Sequence, residues 1–248
     1  MQQDHISVFT GNLFRTRCQT VVNTVNCVGV MGAGIALECR LRYPDMFTHY
    51  GRLCAQGQFD VGRLWLYRTP DRWILNFPTK KHWKLPSRPE YLHLGLQKFL
   101  ETYQARGITS VAFPLLGALN GGMRPEESLA LMRQYLSQCA IPVEIYIYDP
   151  AAPDDVFDDF KSAFLALPDE VIKQHSGLRA DGIRRVREAL NSPHICQLNQ
   201  LAQAPGIGDR TLEKSFAFIS RYRQSLAFAP AGSSESDASA AVQQGFGF

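Results

Sequence analysis

Lys80 and Lys81 stand side by side at the end of an apolar run, Trp73–Phe77, just past Pro78-Thr79. A neighbouring cation and partial desolvation both disfavour a charged amine, so some of this pair is expected to be neutral at working pH. A neutral lysine amine is a nucleophile of the kind that forms imine intermediates. The same residues could instead serve only as phosphate contacts, the usual employment of lysines beside nucleic acid.

Two glycine-rich turns supply the second chemical signal. Val21–Asn26 reads as a strand with a polar end, and it runs into Val28-Gly29-Val30-Met31-Gly32-Ala33-Gly34 before a helix opens at Ile35. Glycines at a strand-to-helix turn let the backbone approach a ligand and aim amide N–H groups at it. The helix N-terminus behind them adds partial positive charge, so a diphosphate is the natural guest. The second turn, Pro114-Leu115-Leu116-Gly117-Ala118-Leu119-Asn120-Gly121-Gly122, follows another apolar run and precedes another helix. Neither turn carries the G-x-G-x-x-G dinucleotide fingerprint or a phosphate-loop Gly-Lys-Ser/Thr, which argues against a nicotinamide dehydrogenase and a P-loop nucleotidase.

The elements that must position these groups are legible as alternating patterns. Apolar, β-branched runs at Ile6–Phe9, Thr20–Val25, Val61–Tyr67, Trp73–Phe77, Ser110–Phe113 and Val143–Tyr148 read as strands buried on both faces of a mixed or parallel sheet. Ile35–Arg42, Tyr91–Gln104 and Glu126–Ser137 show helical three- and four-residue spacing. The alternation predicts a three-layer α/β/α domain with a mixed central sheet over residues 1–150. Two glycine turns at the carboxyl ends of its strands define a crevice, where such folds place ligands.

The motifs G-N-L (Gly11–Leu13) and V-N-T-V-N-x-V-G-V-M-G-x-G-I-A-L (Val22–Leu37) resemble the macrodomain superfamily, and the likeness extends over about residues 6–149. Asn76-Phe77-Pro78-Thr79-Lys80-Lys81-His82-Trp83, with Pro86-Ser87-Arg88, resembles its DarG antitoxin branch; the terminal ADP-ribose protein glycohydrolase shares M-G-A-G-I-A and T-K-K. The resemblance implies removal of ADP-ribose from a DNA base, commonly thymine, in reversal of a DarT-like toxin. It implies an ADP-ribose site of Asn12, Leu13, Gly29, Val30, Met31, Gly32, Ala33, Gly34, Ile35, Thr79, Pro114, Gly117, Ala118, Leu119, Gly121 and Gly122. By the same resemblance Lys80 is the nucleophile, and Asn26 and Asn120 face the ribose at the scissile bond. From the residues alone, a cap at a strand end is the lesser alternative for Asn26.

A ribose glycosidic bond breaks through an oxocarbenium-like state that a carboxylate pair or a nucleophile can assist. The crevice offers no carboxylate pair, which favours the lysine. Four positions depart from the related patterns. Asn120 stands where the terminal glycohydrolase has an aspartate, and an amide cannot act as a base. Ala118-Leu119 replaces a Cys-Gly, and Gly32-Ala33-Gly34 lacks the cation of a Gly-Lys-Gly. A non-catalytic ADP-ribose reader, or a glycohydrolase or deacylase acting on modified protein or O-acetyl-ADP-ribose, are the competing readings. No cofactor and no metal site is implied.

Lys81, His82, Trp83, Lys84 and Arg88 interleave an aromatic with basic side chains, as single-stranded nucleic acid is held. On the residues alone, Trp83 could instead be a core residue at a turn.

Composition changes after Asp149-Pro150: residues 144–170 hold eight acidic side chains against one lysine, and residues 173–223 nine basic against four acidic. The acidic stretch lacks the spaced ligands of a calcium loop and reads as a solvated helix start. Residues 151–228 are expected to form a small helical module, and the Gly/Ser/Ala-rich residues 229–248 a disordered tail. Leu198–Leu212, with Pro205-Gly206-Ile207-Gly208, resembles a helix-hairpin-helix and also fits a helix-turn-helix or a protein-docking surface. In the nucleic-acid readings Arg184, Arg185, Arg187, Arg210 and Lys214 would meet phosphates.

With 248 residues, 45% of them hydrophobic, and a net charge of +3, the chain is no polycation, so affinity for nucleic acid must come from local patches. Six scattered cysteines without a C-x-x-C pair suit a reducing compartment. The amino-terminal residues lack the apolar stretch of a signal peptide, and no run is long enough to span a bilayer. A cytoplasmic protein with no membrane partner is expected.

Overall fold

The computed structural model describes residues 5–227, so the tail expected at 229–248 lies outside the described residues. Strands β1 (Ile6–Gly11), β2 (Thr20–Val25), β3 (Trp65–Arg68), β4 (Trp73–Pro78), β5 (Val111–Pro114) and β6 (Val143–Tyr148) form one sheet in the order β1-β6-β5-β2-β4-β3. Neighbours pair in parallel except β3, which runs antiparallel to β4 at the edge. Five parallel strands therefore bring their carboxyl ends to one rim of the sheet.

Both faces of the sheet are covered, which explains the near-continuous apolar runs of the inner strands. Helices α1 (Gly34–Arg42) and α2 (Pro44–Ala55) lie on one side, and α3 (Pro89–Thr102) and α4 (Pro125–Leu136) on the other. Val21, Val25, Ile74 and Ala112 pack toward Cys39, Met46 and Tyr50 on the first side. Val22, Leu75, Phe77, Val111 and Phe113 pack toward Leu92, Leu96, Phe99 and Met132 on the second. The three-layer sandwich follows from this alternation.

Two elements differ from the sequence reading. The strand expected from Val61 begins only at Trp65, because Asp60 folds its own neighbourhood into a turn. Its carboxylate accepts from the Val61 amide at 2.8 Å, its carbonyl accepts from the Arg63 amide at 2.9 Å, and Gly62 takes φ +78°. Helix α2 had no counterpart in the sequence reading. Its buried side chains are Met46 and Tyr50, one turn apart, and Thr48, His49 and Gly51 dilute the periodicity around them.

After β6 come α5 (Phe157–Ala166), α6 (Asp169–Ser176), α7 (Ala180–Leu190), a 3-10 turn (Leu198–Gln203) and α8 (Asp209–Ala227). They enclose their own core of Phe160, Phe164, Ile183, Leu190, Leu198, Leu212 and Phe218. Asp154, in the acidic stretch, starts α5 by accepting from the Val156 and Phe157 amides at 2.9 and 2.6 Å, and it accepts from the Leu198 amide at 2.7 Å.

This module is joined to the sheet domain through α1. Leu41 and Leu37 of α1 enter the module's core. Glu38 and Arg42, one turn apart, pair at 2.6 Å; Arg42 also reaches Asp155 at 2.8 Å, and Asn199 donates to Glu38 at 2.8 Å. Burial pushes the Glu38 carboxyl up, with Arg42 pulling against it. Arg40 meets Asp209 and Glu213 of α8, each at 3.7 Å. Among the described residues no helix is long and apolar enough to cross a membrane.

Candidate active site

The first glycine loop leaves β2 at Asn26, whose side chain fastens the loop onto itself. Asn26 Oδ1 accepts from the Val28 and Val30 amides at 3.0 and 3.3 Å, and Nδ2 donates to the Val30 carbonyl at 2.5 Å. In this arrangement Asn26 is buried and acts as a strand-end cap. Met31 is buried beneath the loop, whereas Gly32, Ala33 and Gly34 are exposed at its crest. Ala33 caps α1 without any side-chain hydrogen bond. The first amides of α1 are thus left without side-chain partners at an exposed turn, the arrangement that receives phosphate oxygens.

The second loop connects β5 to α4 and approaches the first from the neighbouring strand. A Cβ added at Gly34 would lie 2.7 Å from Asn120 Nδ2, so the two loops meet there. Within the second loop, a Cβ at Gly121 would collide with the Gly117 carbonyl and sit 2.5 Å from Ser87 Oγ. Gly121 is thus required by a close backbone approach. Leu119, at the crest, is 73% exposed.

Lys80 lies between these loops. Thr79 continues the sheet by donating its amide to the Val25 carbonyl at 2.9 Å, and Lys80 follows it out of β4. Its Nζ donates to the Asn120 carbonyl, which ties the candidate nucleophile to the second loop. Partial burial pushes the Lys80 amine below the usual lysine value. Residues 26–34, 79–88 and 115–122 contain no carboxylate, so nothing in these loops restores the charged form by pairing.

Past Lys80 the chain presents a basic and aromatic ridge. Trp83 is 49% exposed, which excludes the core position that the residues alone left open. Its ring stacks on His82 at 5.8 Å, and Lys84 Nζ lies 5.1 Å from its centroid. Lys81 and Arg88 are exposed, and the Arg88 guanidinium lies 5.9 Å from the Tyr91 ring. Ser87 closes the ridge against the second loop, donating its amide to the Gly121 carbonyl at 2.9 Å.

The remaining expected site residues line the same rim. Asn12 caps the 3-10 turn after β1, accepting from the Phe14 amide at 2.9 Å, and Leu13 is buried beside it. Gly29 takes φ +79°, Ile35 and Pro114 are half-buried, and Gly122 takes φ +76°. The sequence reading missed Tyr50, Cys27 and the Ser87 amide. Cys27 and Ser87 lie inside motifs already noted, but only their contacts reveal a role. Tyr50 gave no signal beyond its spacing from Met46.

The helical module's basic residues are mostly engaged within it. Arg184 pairs with Asp181 and Glu188, Arg185 with Asp181 and the Gly206 carbonyl, and Arg187 with Asp169; Lys214 donates to the Gly177 carbonyl.

Comparison with known proteins agrees with this geometry. The Macro domain family matches residues 22–132. The macrodomain of Mycobacterium tuberculosis DarG is 40% identical, the match covering 57% of this chain and 96% of that one with a TM-score of 0.55. This chain belongs to the macrodomain family. Within it, the chain is also similar to the macrodomain of Thermus aquaticus DarG, at 40% identity and a TM-score of 0.54, covering 58% of this chain and 98% of that one. A curated relative from Thermus aquaticus, named DNA ADP-ribosyl glycohydrolase, is 42% identical over 144 residues, which are 56% of this chain. This chain spans about two fifths of that relative's length, 40%.

Proposed function

We propose that this chain hydrolyses the bond between ADP-ribose and a base of single-stranded DNA, thymidine being the base implied by its DarG-like motifs. The observation that carries the reading is Lys80: a partly desolvated amine between two glycine loops that hold no carboxylate. On this reading the α1 amides and the first loop receive the diphosphate, the second loop closes over the phosphates and the ribose, and Asn26 and Asn120 orient the ribose hydroxyls. Asn26 then exchanges part of its loop contacts for the sugar. The Lys81–Arg88 ridge holds the flanking strand, with Trp83 offering a face for a base. Similarity to DNA ADP-ribosyl glycohydrolases supports the substrate class, and a DarT-like transferase is the partner that would supply it.

The chemistry needs only the lysine and water. Neutral Nζ attacks the anomeric carbon as the glycosidic C–N bond breaks, and one amine proton ends on the departing base. The ribose ring then opens, its ring oxygen taking the second amine proton, and an imine joins Nζ to the sugar. Water adds to the imine carbon, the C–N bond breaks, and free ADP-ribose and the amine are regenerated. Nucleophilic assistance of this kind divides one difficult step into two easier ones.

The test is release of free ADP-ribose from an ADP-ribosylated single-stranded oligonucleotide by the wild type and by Lys80→Arg. Arginine keeps the positive charge but is effectively never deprotonated and cannot form an imine. The variant should bind ADP-ribose and release none from the oligonucleotide. Activity within about tenfold of wild type, roughly 1.4 kcal/mol of barrier, would remove the covalent lysine. A wild type that binds ADP-ribose without turnover would establish a reader instead.

A further inference from the structure

Tyr50 lies in α2, outside both glycine loops, and is fully buried. Its hydroxyl donates to the Asn26 carbonyl at 2.6 Å and lies 3.2 Å from Asn26 Oδ1. Burial pushes this hydroxyl's titration well above its ordinary range, so it remains a donor throughout the working range. The carbonyl it holds belongs to the peptide joining Asn26 to Cys27. The other end of that peptide, the Cys27 amide, donates to the Lys81 carbonyl at 3.2 Å, and Cys27 Sγ reaches the Lys80 carbonyl at 3.3 Å. Burial pushes the Cys27 thiol up to about 12, so it too stays a donor. One peptide plane is therefore gripped by α2 on one side and by the backbone of the lysine pair on the other.

The packing around this plane leaves little freedom to re-form it. A Cβ added at Gly29 would lie 3.7 Å from both Gly51 Cα and Cys54 Cβ, so the floor of the first loop is the surface of α2. We propose that Tyr50 is a positioning residue of this site, fixing the Asn26–Cys27 peptide and thereby the register between the first glycine loop and Lys80. The inference rests on the reading of Lys80 as the reacting amine. A helix outside both glycine loops then sets where that amine stands.

The test measures Lys80 directly and does not depend on turnover. Reductive methylation of the full chain is followed across pH, and the rate at Lys80 is read by peptide mass spectrometry against a lysine in an unstructured reference peptide. In wild type the midpoint for Lys80 should lie below that of the peptide. In Tyr50→Phe it should rise toward the peptide value, because a displaced amine regains water; Lys81 is the adjacent charge in both proteins. Turnover of the modified oligonucleotide should fall about tenfold or more. A Lys80 profile superimposable on wild type, even with a lower melting temperature, would overturn the proposal by leaving Tyr50 a structural residue only. Should Tyr50→Phe fail to fold, Cys27→Ala decides: a raised Lys80 midpoint supports the relay, and an unchanged one ends it. A wild type inactive on the oligonucleotide would defeat the proposed function alone, since the labelling profile still decides the role of Tyr50.

Discussion

Replacing Gly121 with alanine asks how tightly the second loop is held. The added Cβ would run into the Gly117 carbonyl and lie 2.5 Å from Ser87 Oγ, where an ordinary contact begins near 3.4 Å. The Gly117 carbonyl is backbone and accepts from the Met123 amide at 3.0 Å, so it cannot turn aside as a side chain could. The loop must therefore move by about 1 Å, and a misplacement of that size costs on the order of 100-fold in rate. We expect kcat/KM on the modified oligonucleotide to fall by that factor, roughly 2.7 kcal/mol of barrier. Overpacking should also lower stability by about 1–3 kcal/mol. Gly122→Ala is the control: it has a positive φ of +76° but nothing within 4 Å of its Cβ, so it carries strain without the collision. Its loss should be clearly smaller. The measurements are ADP-ribose release, ADP-ribose affinity by calorimetry and thermal melting. Activity of Gly121→Ala within about threefold of wild type would refute the close approach as the determinant of loop position.

The reactive neutral form of Lys80 grows as pH rises, and burial moves that rise below the ordinary lysine range. Turnover should climb with pH and level off below the ordinary lysine value, and a flat profile between about pH 6 and 10 would contradict this. Trp83→Ala should weaken oligonucleotide binding by about 1–3 kcal/mol, the scale of one stacked base, with ADP-ribose affinity and melting temperature unchanged; equal losses for both ligands would move Trp83 out of the strand-binding role. A chain ending near Pro150 should still fold, since the similar DarG macrodomains align over almost their whole length without a helical module. It would expose Leu41 and leave Glu38 and Arg42 without Asn199 and Asp155. A loss of about 1.5–3 kcal/mol for the leucine alone lowers the melting temperature by roughly 3–12 °C, while short-oligonucleotide turnover persists; an unchanged melting temperature would show that the joint contributes nothing.

Much of the site was legible because its chemistry is carried by backbone and by strand ends. Continuous apolar runs such as Val21–Val22 and Val111–Phe113 announce strands buried on both faces, and parallel strands deliver their loops to one rim. Lys80 stood out as a cation placed where an apolar strand ends. What stayed hidden depends on side chains far apart in sequence. Tyr50 and Asn26 are 24 residues apart, and Asn199 and Glu38 161 apart. The helical module shows the converse: its arginines looked available as a list, yet Asp181, Glu188 and Asp169 lie within reach of them. The turn at Pro205–Gly208 was visible in the sequence, but the docking of α8 on Arg40 was not.

Helix α1 has nine residues and is about 13 Å long, so its two ends cannot respond independently. Its first residue belongs to the first glycine loop, and its last turn packs against the helical module. Thermodynamic reciprocity then applies: whatever free energy docking of the module contributes to the loop, a ligand in the loop must return to the docking. Occupancy of the cleft should slow amide exchange in α8, a helix that touches no ligand. A protein that gripped α8 would, by the same linkage, retune affinity in a cleft it never enters.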